Sequence, residues 1–149
     1  MDDELVFGRE EARHYEAWFE TKEGRRADEQ EKDLMHRLLA GLGPPGTMLE
    51  VACGTGHFSR WFEDELGWKE NGIDLSLPML EEALARNPAF PAGLADAAAL
   101  PFADDSYDVV VVVTALEFMI EPVAALRETI RVARRGLMVC VLNRWSLLA

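Results

Sequence analysis

The chain predicts an α/β fold: a doubly wound, mostly parallel sheet in a single domain over 1–149, with N-terminal helices over 1–43 and the α/β core over 44–149. Three observations carry that expectation. From Thr47 onward, strand-like apolar runs alternate with amphipathic helical stretches, the pattern of βαβ units with right-handed crossovers. The run over 109–114 shows no polar alternation, as in a strand covered on both faces. The passage Met48-Leu49-Glu50-Val51-Ala52-Cys53-Gly54-Thr55-Gly56-His57-Phe58 reads as strand, acid, glycine turn and helix start. With 149 residues, 49% of them hydrophobic, the chain is long enough for one substantial core.

Tyr15, Trp18 and Phe19 at helical spacing predict a short amphipathic helix over 10–20. Gly24-Arg25-Arg26 breaks the pattern, and Asp28 with Glu31 forms a capping box that opens a second helix. Leu34, Met35, Leu38, Leu39 and Leu42 make one apolar stripe on it, and Gly43-Pro44-Pro45 ends it. A strand follows over 47–52, a helix over 58–66 and a second strand over 68–73 that ends at Asp74. Ser76 caps the next helix, with Pro78 in its first turn and its end near Asn87. A third strand is expected over 92–95 and a fourth over 109–114. Pro122 opens a helix that reaches about Ala133, and Gly136 precedes a fifth strand over 137–142.

Composition narrows the function classes. A net charge of −12 repels phosphate backbones and anionic lipid, which argues against nucleic-acid and membrane partners. No apolar run is long enough to span a bilayer, and Met1-Asp2-Asp3-Glu4 lacks the basic and apolar regions of a signal peptide. Cys53 and Cys140, both in apolar strand-like runs, read as buried free thiols of a cytoplasmic protein. The absence of a CxxC pattern and the scatter of three histidines predict no metal site.

Ligands of doubly wound sheets sit at the carboxyl ends of the strands. Glu50 closes the first strand, where a buried carboxylate calls for a partner. Gly54 and Gly56 let backbone amides approach a ligand, and the following helix points its positive end there. A carboxylate on one side and bare amides on the other suit a ligand with both an ammonium and a carboxylate. Asp74, after the second strand, suits a ribose; its alternative role is capping the next turn. Asp96 and Ala97, after the third, suit the edge of an adenine; the alternative for Asp96 is an Asx turn. Two cofactor classes fit these acids, a nicotinamide dinucleotide and S-adenosylmethionine. Ser59 stands where the dinucleotide pattern has a third Gly or Ala, and Glu50 would repel a pyrophosphate but attract an α-ammonium.

Leu49-Glu50-Val51-Ala52-Cys53-Gly54-Thr55-Gly56 resembles motif I of the class I S-adenosylmethionine-dependent methyltransferases. Asp96-Ala97-Ala98-Ala99-Leu100-Pro101-Phe102-Ala103-Asp104-Asp105-Ser106-Tyr107-Asp108 resembles a long and specific run of the type 11 methyltransferases, relatives of ubiquinone and menaquinone biosynthesis enzymes. The resemblance spans about Tyr15 to the end of the chain. It implies a Rossmann-like fold of strand order 3-2-1-4-5 and methyl transfer from S-adenosylmethionine to a small-molecule acceptor, leaving S-adenosylhomocysteine, without a metal. It implies roles by position: Glu50 for the methionine ammonium, Ala52, Gly54 and Gly56 along the methionine and ribose, Asp74 for the ribose hydroxyls, and Leu75, Asp96 and Ala97 for adenine. Thr114 falls near the sulfonium, and Tyr15 and Trp18 match aromatics that close over the cofactor.

Ala52 departs from the family, which has glycine there. The sequence also stops at Asn143-Arg144-Trp145-Ser146-Leu147-Leu148-Ala149, where the family continues with a helix and two strands. The expectation is a sheet truncated after its fifth strand, with an apolar edge that a second copy covers in a homodimer. His57 and Glu117 are the candidate bases, and neither is assigned as catalytic. Two other functions stay open: a module that binds S-adenosylmethionine or S-adenosylhomocysteine without turnover, and a nicotinamide-dependent oxidoreductase.

Overall fold

The computed structural model describes residues 6–143. The readings placed on Met1-Asp2-Asp3-Glu4 and on the segment after Asn143 lie outside these residues. Two helices, α1 (Arg9–Glu20) and α2 (Lys22–Ala40), precede β1 (Thr47–Val51), α3 (His57–Asp64), β2 (Lys69–Asp74), α4 (Leu77–Arg86), β3 (Ala92–Leu94), β4 (Tyr107–Val113), α5 (Pro122–Val132) and β5 (Ala133–Cys140). A single 3-10 turn, Leu116–Phe118, separates β4 from α5. The five strands form one sheet in the order β3-β2-β1-β4-β5, and every described pairing is parallel. The doubly wound expectation and its strand order hold.

Side-chain alternation along the strands supplies two cores. On one face Met48, Val109, Val111 and Val113 pack with Phe19, Met35, Leu39, Phe58 and Phe62 from the first three helices. On the other, Leu49, Val51, Ile73, Val110 and Val112 pack with Leu100, Tyr107 and Val132. The long run after β3 owes much of its specificity to this second core. Leu100 is buried and Phe102 packs beside it. The Leu100 N–H donates to Glu128 at 2.8 Å, and Arg131 donates to the Phe102 carbonyl and to Asp104. Asp105 takes the left-handed turn at φ 54°. At the end of the run, Asp108 accepts from the Thr47 N–H at 2.9 Å and pairs with Arg134, whose hydrogen bond leads the effects holding its carboxyl near 2. Most of the run therefore fastens the β3–β4 loop to α5 and to β1.

Three sequence expectations are corrected. Gly24-Arg25-Arg26 does not break the chain, and Asp28 is not a cap: α2 begins at Lys22, capped by Thr21, whose Oγ1 accepts from the Gly24 N–H at 3.0 Å. Gly24 is needed for proximity, since a Cβ there would lie 1.9 Å from the Trp18 carbonyl oxygen. The leucine stripe is only half buried: Met35 and Leu39 are in the core, whereas Leu34 and Leu38 are exposed. Gly136 lies inside β5, which starts at Ala133 because its register pairs Ala133 with Tyr107. Of the two thiols, both free, Cys53 is buried in the turn after β1 and Cys140 is half-buried at the end of β5.

Candidate cofactor and acceptor site

One large cavity, about 960 Å³, opens at the carboxyl ends of the strands. Its wall includes Glu50, Ala52 and Gly54 after β1, Asp74 and Leu75 after β2, Asp96 and Ala97 after β3, Thr114 after β4, and Tyr15 and Trp18 from α1. Ten of the eleven predicted site residues thus meet in one place. Gly56 does not line it: it is the left-handed N-cap of α3 at φ 76°, and a Cβ there would face Arg60, Phe90 and Ala83.

Glu50 is 2% exposed and accepts a hydrogen bond from the Ser59 hydroxyl. Ser59 sits within the first turn of α3 and owes its place to that bond. Burial raises the Glu50 carboxyl to about 8, against the Ser59 hydrogen bond and with help from the nearby Asp74 charge. At neutral pH burial therefore favours its protonated form.

Asp74 does the capping and also faces the cavity. Its Oδ2 accepts from the Gly54 N–H and its Oδ1 from the Ser76 N–H, both at 2.8 Å. Each carboxylate oxygen can accept a second hydrogen bond, as a ribose diol requires. Burial raises Asp74, opposed by those backbone donors. This geometry corrects the expectation of bare loop amides. The Gly54 N–H is held by Asp74, the Gly56 N–H donates to the Cys53 carbonyl, and the Cys53 N–H donates to the Ile73 carbonyl. Asp96 likewise forms its Asx turn, accepting from the Ala98 N–H at 2.9 Å, while lining the cavity.

The backbone carries strain at two lining positions. Ala52 sits at φ 60° and Thr114 at φ 48°, the region that favours glycine. For Ala52 this is where the family departure falls. Ala52→Gly is expected to raise stability by roughly 0.5 kcal/mol, the left-handed penalty relieved less the added entropy of glycine in the unfolded chain. Thermal melting should show a rise of about 1–2 °C; a fall would mean that the methyl group packs usefully.

His57 is not placed as a base. Its Nε2 lies 2.7 Å from Asp28 and its Nδ1 3.7 Å from Glu16, so carboxylates face both nitrogens. Its ring stacks on Phe19 at 3.6 Å between centroids. Glu16 is the hub of this cluster: one oxygen accepts from the Thr55 hydroxyl and from Arg60, both at 2.6 Å, with Arg86 at 3.6 Å. Burial would raise Glu16, but hydrogen bonds from His57, Thr55 and Arg60 outweigh it and hold the carboxyl near 2. The hub ties α1 to the glycine loop, and Asp28 ties α2 to it. The signal for it was a charged residue on an apolar stripe, since Glu16 shares a helix face with buried Ala12 and Phe19. Glu117 does not line the cavity; it accepts from the Leu142 N–H. Among the described residues, no group of three or more His, Cys, Asp or Glu side chains is arranged to hold a metal, and no helix is long and apolar enough to cross a membrane.

The profile of a family described as "Methyltransferase domain", of type 11, matches residues 49–141. The chain belongs to this methyltransferase family. It is 40% identical over 96 residues to the demethylmenaquinone methyltransferase of Renibacterium salmoninarum, a match that covers 64% of the chain and 40% of that protein. It is 38% identical over 101 residues to the malonyl-[acyl-carrier protein] O-methyltransferase of Pseudescherichia vulneris, covering 66% of the chain and 40% of the relative. Among solved structures, a SAM-dependent methyltransferase from Thermotoga maritima superposes with a TM-score of 0.65 at 28% identity, covering 91% of the chain and 60% of that structure. A Pyrococcus horikoshii protein gives 0.79 at 24% identity, with 95% and 65% covered, and shows the same fold. The chain spans about two fifths of the length of the two curated relatives described here.

Proposed function

We propose that this chain binds S-adenosylmethionine and transfers its methyl group to a small-molecule acceptor. The observation that carries the reading is the pair of carboxyl groups, Glu50 and Asp74, at the ends of adjacent strands and on one cavity wall. Glu50 suits the α-ammonium: burial keeps it protonated when empty, and a cation in contact would draw the proton off. Asp74 suits the ribose hydroxyls, Leu75, Asp96 and Ala97 the adenine, and Thr114 the neighbourhood of the sulfonium. Gly54 and the strained Ala52 give the methionine chain its close approach, and Gly56 serves by capping α3. Tyr15 and Trp18 wall the site against water. The cofactor supplies a methyl carbon already activated by sulfonium, so the protein's share is proximity and alignment. The same buried Glu50 disfavours a dinucleotide, whose pyrophosphate offers no cation to draw off its proton.

Calorimetric titration with S-adenosylhomocysteine tests the reading. Saturable binding is expected, and it should vanish in a Glu50→Ala, Asp74→Ala double variant; a folded wild-type chain that takes up no ligand would refute it. We also place the protein in the cytoplasm as a single-domain chain. Pairing of two β5 edges would give a homodimer, for which light scattering should read twice the chain mass.

A further inference from the structure

The cavity volume of about 960 Å³ lies near the top of the range for small-ligand sites, roughly 300–1,000 Å³. The residues assigned to the cofactor occupy the ends of β1, β2 and β3. Beyond Thr114 the wall continues with Phe7, Phe118, Ile120 and Leu142, all substantially exposed apolar side chains. Its acidic residues, Glu31, Glu50, Asp74, Asp96 and Glu121, face one basic side chain among the described lining residues, His57, whose ring nitrogens already lie against Asp28 and Glu16. Glu50, Asp74 and Asp96 each accept hydrogen bonds within the protein.

Glu31 differs. It is half-buried on α2, and no hydrogen bond or ion pair to it is recorded among the described residues. Its charge acts on Tyr15 on α1 and on Cys140 at the end of β5. Its acidic neighbour Asp28 is already engaged by Lys32 and His57. Burial, followed by the Asp28 charge, raises the Glu31 carboxyl.

We infer that the second ligand of this cavity is an apolar amine, and that Glu31 is the carboxylate that receives its ammonium. The inference rests on the cofactor reading above, which assigns the other carboxyl groups. An ammonium entering there meets a half-buried carboxylate with no recorded hydrogen bond or ion pair and the aromatic rings of Tyr15 and Trp18, which attract cations. A ligand carboxylate would meet like charge, offset among the described lining residues only by His57, which already faces Asp28 and Glu16. Glu31 is thus a specificity and positioning residue.

The test uses the 149-residue chain, with and without saturating S-adenosylhomocysteine, titrated with two probes on one skeleton, tryptamine and indole-3-propionate. Tryptamine should bind at least about tenfold more tightly, a difference of about 1.4 kcal/mol. Glu31→Gln should bring the two probes within about threefold of each other and leave S-adenosylhomocysteine affinity unchanged. Glu29→Gln, the same charge change at an exposed position outside the cavity, should leave the tenfold preference intact. Equal or tighter binding of the carboxylate, binding of neither probe, a preference that survives Glu31→Gln, or an equal loss in Glu29→Gln would overturn the inference. An amine preference that depends on Glu31 in a chain that ignores S-adenosylhomocysteine would sink the cofactor reading and leave this one standing.

Discussion

Replacing Asp74 by alanine should weaken S-adenosylhomocysteine binding by at least about a hundredfold, close to 3 kcal/mol, and lower stability as well. The carboxylate does two jobs at once. Toward the protein it holds the Gly54 and Ser76 amides, and so fixes the glycine turn to the start of α4. Toward the cavity it presents its remaining lone pairs. Hydrogen bonds to a charged group contribute roughly 1.5–3 kcal/mol each, so the alanine variant loses both the loop geometry and the ligand's acceptor. Asp74→Asn separates the two jobs. Its carbonyl oxygen can retain one amide, while its NH₂ faces the other amide as a second donor. Chemical denaturation should therefore place its stability between wild type and alanine. Calorimetry should place its affinity there too; an asparagine variant that binds as tightly as wild type would remove the ribose role.

Raising the pH from about 5 to 8 should destabilise the unliganded chain, and Glu70→Leu should relieve part of the loss. Glu70 is 1% exposed on β2, and neither of its side-chain oxygens has a hydrogen-bond partner among the described residues. It lies two residues along the register from Glu50 on the same face of the β1–β2 pair, since Met48 faces Glu70 and Glu50 faces Gly72. Burial raises both carboxyls, Glu50 to about 8 from an ordinary 4.5. The sign follows from proton counting. Above 4.5 the unfolded chain releases protons that the folded chain keeps, so stability is complete below that pH and falls as pH rises toward the folded values. Each such group costs up to about 1.4 kcal/mol per pH unit across its window. Leucine at 70 removes the unsatisfied group and should add about 1–3 kcal/mol at pH 8. Urea denaturation of both proteins at pH 5 and pH 8 reads the result. A leucine variant with the wild-type pH slope would show that Glu70 is not the source.

The sequence made the carboxyl-end residues legible because strand, acid and glycine turn are local patterns with one physical use. Glu50, Asp74 and Asp96 could each be placed by counting along the chain. What they bond to could not be counted. That Asp74 holds the Gly54 amide, leaving no bare donor there, depends on how β1 and β2 pair side by side. The same holds for Glu31, which looked like half of a capping box because Asp28 looked like a helix start. The Thr21 cap and the close approach of Gly24 to the Trp18 carbonyl reveal that the helix cap lies seven residues earlier, which turns Asp28 and Glu31 into interior residues. They share a helix face with buried Met35, and acids on a buried face were the available clue. The third strand and the limits of β5 were hard to place because β3 is largely exposed and β5 largely half-buried, so neither carries a clear alternation.

The Glu16 cluster also separates two boundaries that are easily conflated. The family profile matches residues 49–141, a stretch that begins inside β1 and leaves out both N-terminal helices. Yet Thr55, His57 and Arg60, all within that stretch, are anchored by Glu16 and Asp28, which lie outside it. A fragment cut at the edge of the homologous segment would keep every motif residue and lose the side chains that hold the turn in shape. The length that the family profile matches and the length that keeps the glycine turn in shape are therefore different, and the longer one includes helices α1 and α2.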